Sequence, residues 1–180
     1  MKIPLDFFAD PGIISNVMKG LKMQIRTFDI TGVSVAIVDE IEAAAQFYGE
    51  LLMGKNLIKN LHLRLVFTKT QGNGTTWEDD IARPREFAIT IEKGMSKRET
   101  LITLAHEMVH VKQYATGELR DYMSSSKLQR WRDEKRDWSQ VEYWDLPWEI
   151  EAYGRERGLY VRFVDHLKAQ KFLDKIKNNP

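Results

Sequence analysis

The chain has 180 residues, of which 43% are hydrophobic and 29% charged, and 27 basic against 26 acidic side chains leave a formal charge of +1. That length and composition fit one globular domain over residues 1–180 and exclude disordered and fibrous classes, while near-neutrality provides no global field toward nucleic acid or an anionic membrane. There is no cysteine, which removes disulfides, thiolate metal sites and thiol nucleophiles, so any protein ligand to a metal must be His, Asp or Glu.

Met1-Lys2-Ile3-Pro4-Leu5-Asp6 has no apolar run behind its lysine, Asp10-Pro11-Gly12 interrupts the chain soon after, and no later segment approaches a membrane span. A cytoplasmic protein without a membrane partner is the expectation. Val33, Val35 and Ile37 alternate within residues 32–38 and predict a strand. Asp39 with Glu42 reads as a capping box opening a helix that carries Ile41, Ala44, Ala45, Tyr48, Leu51 and Leu52 on one face and ends near Gly54. Leu61, Leu63, Leu65 and Phe67 alternate as a second strand.

Gln71-Gly72-Asn73-Gly74 predicts a turn, and the polar run to Pro84 reads as irregular until Phe87, Ile89 and Ile91 mark a strand closed by Gly94. Ser96 with Glu99 is a second capping box, whose helix runs to about Thr116 before Gly117. Residues 118–146 form a polar, aromatic insertion expected to hold some helix, with Lys127, Arg130, Arg132, Lys135 and Arg136 interleaved with Asp133, Glu134 and Asp137 as a solvated helix face, so no nucleic acid is expected as a partner. Asp145-Leu146-Pro147 opens a last helix to about Phe172. No internal repeat is visible.

The chemistry is concentrated in His106-Glu107-Met108-Val109-His110. Residues four apart on a helix lie one above the other, so His106 and His110 can offer two imidazoles to one ion with Glu107 beside them. Leu101, Leu104, Met108, Val111 and Ala115 fall opposite the histidines, so the helix is expected to bury one face and offer the other. A tetrahedral zinc site that keeps a position for water needs a third protein ligand, and neither His62 nor His166 is well placed. The third ligand is expected to be a carboxylate in Trp148-Glu149-Ile150-Glu151-Ala152. Glu149 shares its helical face with Ala152, Tyr153, Glu156, Tyr160, Phe163, Val164 and Leu167 and should point inward, whereas Glu151 falls with Arg155, Arg162, Asp165 and His166 on a face read as solvated.

Over roughly Phe87 to Glu156 the sequence resembles the zincin metallopeptidases, in particular the glutamate-zincin branch, in which His-Glu-x-x-His on one helix is completed by a Glu on a later one. The resemblance implies an α+β, zincin-like fold: a small mixed or antiparallel sheet, a backing helix, an edge strand just before the active helix, then the glutamate helix. It implies one catalytic Zn2+ held by His106, His110 and Glu149, with Glu107 as the base. Relatives often place an acid one turn beyond the ligand glutamate to orient a histidine; here Tyr153 stands there, and Glu156 is the available substitute. The metzincin pattern fails at Gln113 and Thr116, the SprT-like pattern lacks its downstream histidine, and the peptide deformylase pattern lacks its cysteine.

The expected activity is peptide hydrolysis through a zinc-activated water, on a peptide or protein substrate. Tyr153, Tyr143 and Tyr114 are the candidate oxyanion donors, with Tyr153 placed first. The Phe87–Ile91 strand can pair with an extended substrate if it lies at the sheet edge, as the zincin resemblance implies, and is otherwise an ordinary buried strand. The aromatic residues from Trp131 to Trp148 suit either a substrate wall or the core. A non-catalytic zincin-like binding or regulatory module is the alternative, and a coincidental motif in a structural helical domain a further one.

Overall fold

In a computed structural model the chain is described at residues 25, 27–69, 74–78, 84–122 and 125–178. The described elements open with a strand, helix, strand unit. Strand β1 (Thr27–Thr31) leads into helix α1 (Val35–Met53), a short helix α2 (Lys55–Ile58) comes next, and β2 (His62–Thr68) returns parallel to β1. The strand expected at 32–38 is therefore the loop and first turn of α1. Ser34, not Asp39, is the N-cap, its hydroxyl accepting from the Ala36 amide at 3.4 Å. Once that cap starts the helix, Ile37 and Ile41 continue the 3.6-residue stripe of Ala44 and Tyr48, and the alternation of three β-branched residues is overridden. Ile41, Ala44, Ala45 and Tyr48 are buried as expected, whereas Leu51 at the end of the stripe is exposed.

Strand β4 (Glu86–Glu92) pairs parallel with β2, and β3 (Gly74–Glu78) pairs antiparallel with β4, so the mixed sheet runs β1-β2-β4-β3. This corrects two expectations. Gly74–Glu78 is a strand, not irregular chain, and it takes the edge assigned to Phe87–Ile91, which lie between two neighbours. Gln71–Asn73 of the expected turn fall outside the described residues. Leu63, Leu65 and Phe67 of β2 and Phe87, Ile89 and Ile91 of β4 are buried, the period-two pattern of strands with one face against helices.

Helix α3 (Lys97–Thr116) packs against α1 and the sheet on one side and α4 (Pro147–Asn178) on the other. Residues 118–146, expected to contain helix, instead form an antiparallel sheet of β5 (Leu119–Tyr122), β6 (Ser125–Trp131) and β7 (Glu134–Asp137), then a 3₁₀ turn at Tyr143–Asp145. Three of its cations lie over rings rather than on a helix face, Lys135 over Tyr122 and Arg136 over Trp138, each at 3.9 Å, and Arg132 over Trp131 at 5.1 Å, while Arg130 donates to the Gly117 carbonyl. Four helices and two small sheets among the described residues agree with the expected α+β class. No described helix is long and apolar enough to cross a membrane.

The turn between β1 and α1 passes close over the end of β2. Gly32 adopts φ 86°, and a Cβ at that position would collide with the Phe67 carbonyl oxygen. Gly94, after β4, has φ 99° with open space around it. Gly32→Ala is therefore expected to lower unfolding free energy by about 3 kcal/mol, combining left-handed strain with a backbone clash, and Gly94→Ala by only about 1 kcal/mol from strain alone. Urea denaturation of the two variants checks the order; equal losses contradict it.

Candidate metal centre

The capping box predicted at Ser96 is present: the Ser96 amide donates to Glu99 Oε2 at 3.0 Å and the Glu99 amide to Ser96 Oγ at 3.3 Å, while Gly117 ends the helix in the left-handed conformation. Every residue from Thr103 to Gln113 is buried, so α3 does not offer a face to solvent as expected; α4 covers it. His106, Glu107 and His110 are 8%, 3% and 9% exposed.

The start of α4 is anchored by Trp148, which packs with Leu119, Trp131 and Trp138 in a second apolar cluster, its ring 5.2 Å from Trp138 and 6.1 Å from Trp131. Pro147 sits in the first turn, where its missing amide donor costs nothing. With Trp148 fixed on one side, the next residue, Glu149, turns toward α3 and is buried.

His106 Nε2 and His110 Nε2 are 3.1 Å apart, Glu149 Oε2 lies 3.4 Å from the first and Oε1 3.5 Å from the second. Among the described residues these three form a group whose ligand atoms all lie within 4.8 Å of one another. A tetrahedral ion with bonds of roughly 2.0–2.1 Å spaces its donors by about 3.4 Å, so the donor set fits a zinc-sized ion. The outer nitrogens strengthen the case. His106 Nδ1 faces Glu156 Oε2 at 3.1 Å and His110 Nδ1 faces Gln113 Oε1 at 2.8 Å. Because the Gln113 amide nitrogen donates to the Trp148 carbonyl at 2.9 Å and to Glu151 Oε2 at 3.1 Å, its oxygen is the acceptor for His110. Both Nδ1 atoms therefore carry hydrogen, and both Nε2 atoms face inward, where each can hold either a proton or a metal ion. Two lone pairs at 3.1 Å with a carboxylate beside them are stable only when a proton or a cation is shared among them.

The electrostatics agree. Burial alone would suppress a charge on His110, but hydrogen bonds to Glu149 and Gln113 and the charges of Glu107 and Glu149 outweigh it, and its pKa is raised. Burial pushes the Glu149 carboxyl up, yet hydrogen bonds from His106, His110 and Tyr143 and the His110 charge hold it well below the usual carboxylate range.

Glu156 thus fills the orienting role that Tyr153 cannot, as the sequence suggested. Gln113 joins it as an orienting residue that the motif alone does not point to, although its place one turn after His110 is legible on the helix. Glu151 corrects the sequence reading: it is not solvated but largely covered, bound by Lys112 at 2.9 Å, Gln113 and Arg155 at 3.0 Å. Lys112 is itself buried and also reaches Glu118 at 2.7 Å. Of the tyrosines, Tyr143 Oη donates to Glu149 Oε2 at 2.7 Å, and the Tyr153 ring packs on His106 at 4.5 Å although its helical face suggests deeper burial. Tyr114 turns away to Asp121. His62 begins β2 and His166 packs on Phe47, both outside the cluster. Comparisons of the chain with protein-family models, curated proteins and solved structures find no match.

Glu149→Ala is expected to weaken zinc binding by about 100-fold or more, against less than about tenfold for Glu151→Gln, as read by isothermal titration; equal effects contradict the assignment. Glu151→Gln instead lowers stability at pH 7 by about 2 kcal/mol, because it leaves Lys112 short of a buried partner. Burial raises the Glu151 pKa, but the Lys112 and Gln113 hydrogen bonds and the Lys112 and Arg155 charges lower it further. Its contribution is therefore full above the ordinary carboxylate value of 4.5 and is lost as pH falls through the lower folded value. The stability gap between wild type and Glu151→Gln should shrink below that pH in denaturant titrations, and a gap that widens there contradicts the network.

Proposed function

We propose that this chain is a zinc-dependent metallopeptidase of zincin-like fold, with His106, His110 and Glu149 as metal ligands and Glu107 as general base. One observation carries the reading. Two inward imidazole nitrogens and a carboxylate converge at 3.1, 3.4 and 3.5 Å, with a second acid, Glu107, buried next in sequence to one of these residues and close enough for its charge to act on the other. A purely structural histidine pair has no need of that convergence or of oriented outer nitrogens.

Bound at these ligands, zinc supplies Lewis acidity, lowering the pKa of a water and polarising a carbonyl. Glu107 accepts the proton of the attacking water at its carboxylate and later delivers it to the leaving amine nitrogen, so no covalent intermediate with the protein is required. Gln113 and Glu156 keep the Nδ1 protons of the two histidines in place, so the imidazoles neither rotate nor change tautomer during turnover. Tyr153, with its ring on His106, is the donor for the developing oxyanion, held beside the Tyr143 hydroxyl, which itself donates to Glu149. The substrate is a peptide or protein in extended form, and β3, rather than Phe87–Ile91, is the strand for it to pair along, being the sheet edge beside α3 with no further strand on its outer side among the described residues.

Glu107→Gln should retain one zinc per chain and reduce cleavage of a diverse peptide mixture by about 100- to 10,000-fold. Mass spectrometry of the products and metal analysis of the same preparations check both halves. Undiminished cleavage by the variant refutes the proposed base, and zinc binding by the wild type without any cleavage favours a non-catalytic binding module instead.

A further inference from the structure

We propose that Trp144 and Tyr153 form a preformed apolar shelf beside the metal centre that takes a bulky aromatic or branched aliphatic side chain flanking the scissile bond. The proposal rests on the peptidase reading and goes beyond it by naming the substrate class.

The aromatic residues of the 131–153 stretch divide into two groups. Trp131, Trp138 and Trp148 are buried in the cluster that anchors α4, whereas Tyr143, Trp144 and Tyr153 are 47%, 67% and 40% exposed, and Ile150, three residues before Tyr153 on α4, is 55% exposed. Large apolar side chains gathered at one place on a surface, rather than scattered, mark a surface that something covers.

These rings are ordered against one another and against the ligands. Tyr153 packs edge-on to His106 at 4.5 Å, Trp144 lies 5.0 Å from Tyr153, and Tyr143 lies 5.2 Å from Trp144. The series closes on the centre, because the Tyr143 hydroxyl donates to Glu149 at 2.7 Å. A group held at the three ligands therefore has its neighbouring substituent against these rings. The Tyr143 hydroxyl is already committed, and Trp144 offers mainly its ring, so the shelf recognises by area and ring contact rather than by hydrogen bonds. Because the rings brace one another, little side-chain entropy is lost when a substituent lands on them.

Hydroxamates that bind zinc through the same two oxygens and carry a benzyl, isobutyl, methyl, aminobutyl or no side chain read this preference without requiring turnover. With the zinc-loaded full chain, isothermal titration should show the benzyl and isobutyl compounds binding roughly tenfold or more tighter than the unsubstituted one. Trp144→Ala should reduce that ratio to about threefold or less while the zinc content stays at one per chain, and Trp144→Phe should retain most of it. An undiminished ratio in Trp144→Ala, no side-chain preference in the wild type, or tightest binding by the aminobutyl compound overturns the shelf. Selective hydroxamate binding without cleavage of any peptide upholds the shelf and refutes the peptidase reading. No hydroxamate binding at all refutes the metal centre and the shelf together.

Discussion

Two imidazole nitrogens 3.1 Å apart, with a carboxylate at 3.4 and 3.5 Å, repel one another unless positive charge is shared among them. The protein holds these groups together through partners on their outer sides. Glu156 and Gln113 occupy the outer nitrogens, Tyr143 occupies the carboxylate, and the hydrogen bonds and negative charges around His110 outweigh its burial and raise its pKa. Rotating either ring away would leave a buried nitrogen without a partner, at a cost of about 1–3 kcal/mol.

That arrangement depends on how α4 crosses α3. Gln113 joins three parts of it at once, accepting from His110 on its own helix and donating to the Trp148 carbonyl and to Glu151 on the other. Lys112, next in sequence, adds an ion pair to Glu151 and a second to Glu118, which ties the crossing to the segment leading into β5. The Trp131, Trp138 and Trp148 cluster fixes the same end of α4 by apolar burial. The small second sheet is thus part of the scaffold of the centre, since one of its strands supplies Trp131 to the residue that precedes Glu149.

Much of this is legible in the sequence where local chemistry and periodicity agree. Ser96, Glu99 and Gly117 bound α3 correctly because caps act within a few residues, and the helical wheel turns Glu149 inward because five neighbours on its face are buried. Local alternation misleads at Val33, Val35 and Ile37, where the Ser34 cap and the longer stripe to Tyr48 decide the structure. Glu151 reads wrongly as solvated because its partner Lys112 lies 39 residues away, and a wheel drawn on one helix cannot contain a contact made across two. The second sheet is hidden in the sequence because β7 is exposed along its whole length and lacks the apolar alternation that marks a strand; its pairing with β6 comes from the hairpin.

The centre, the crossing and the exposed rings form one chain of dependence: tryptophan packing places Glu149, Glu149 completes the candidate metal-binding group, and Tyr143 and Tyr153 lead from that group outward to Trp144. The central claim is that three named atoms share one cation. A crystal of the full chain grown with zinc and measured on both sides of the zinc absorption edge tests it directly. One anomalous peak about 2.0–2.2 Å from His106 Nε2, His110 Nε2 and a Glu149 oxygen is the expected result. Zinc bound only elsewhere, or at the two histidines with Glu149 turned away, contradicts it.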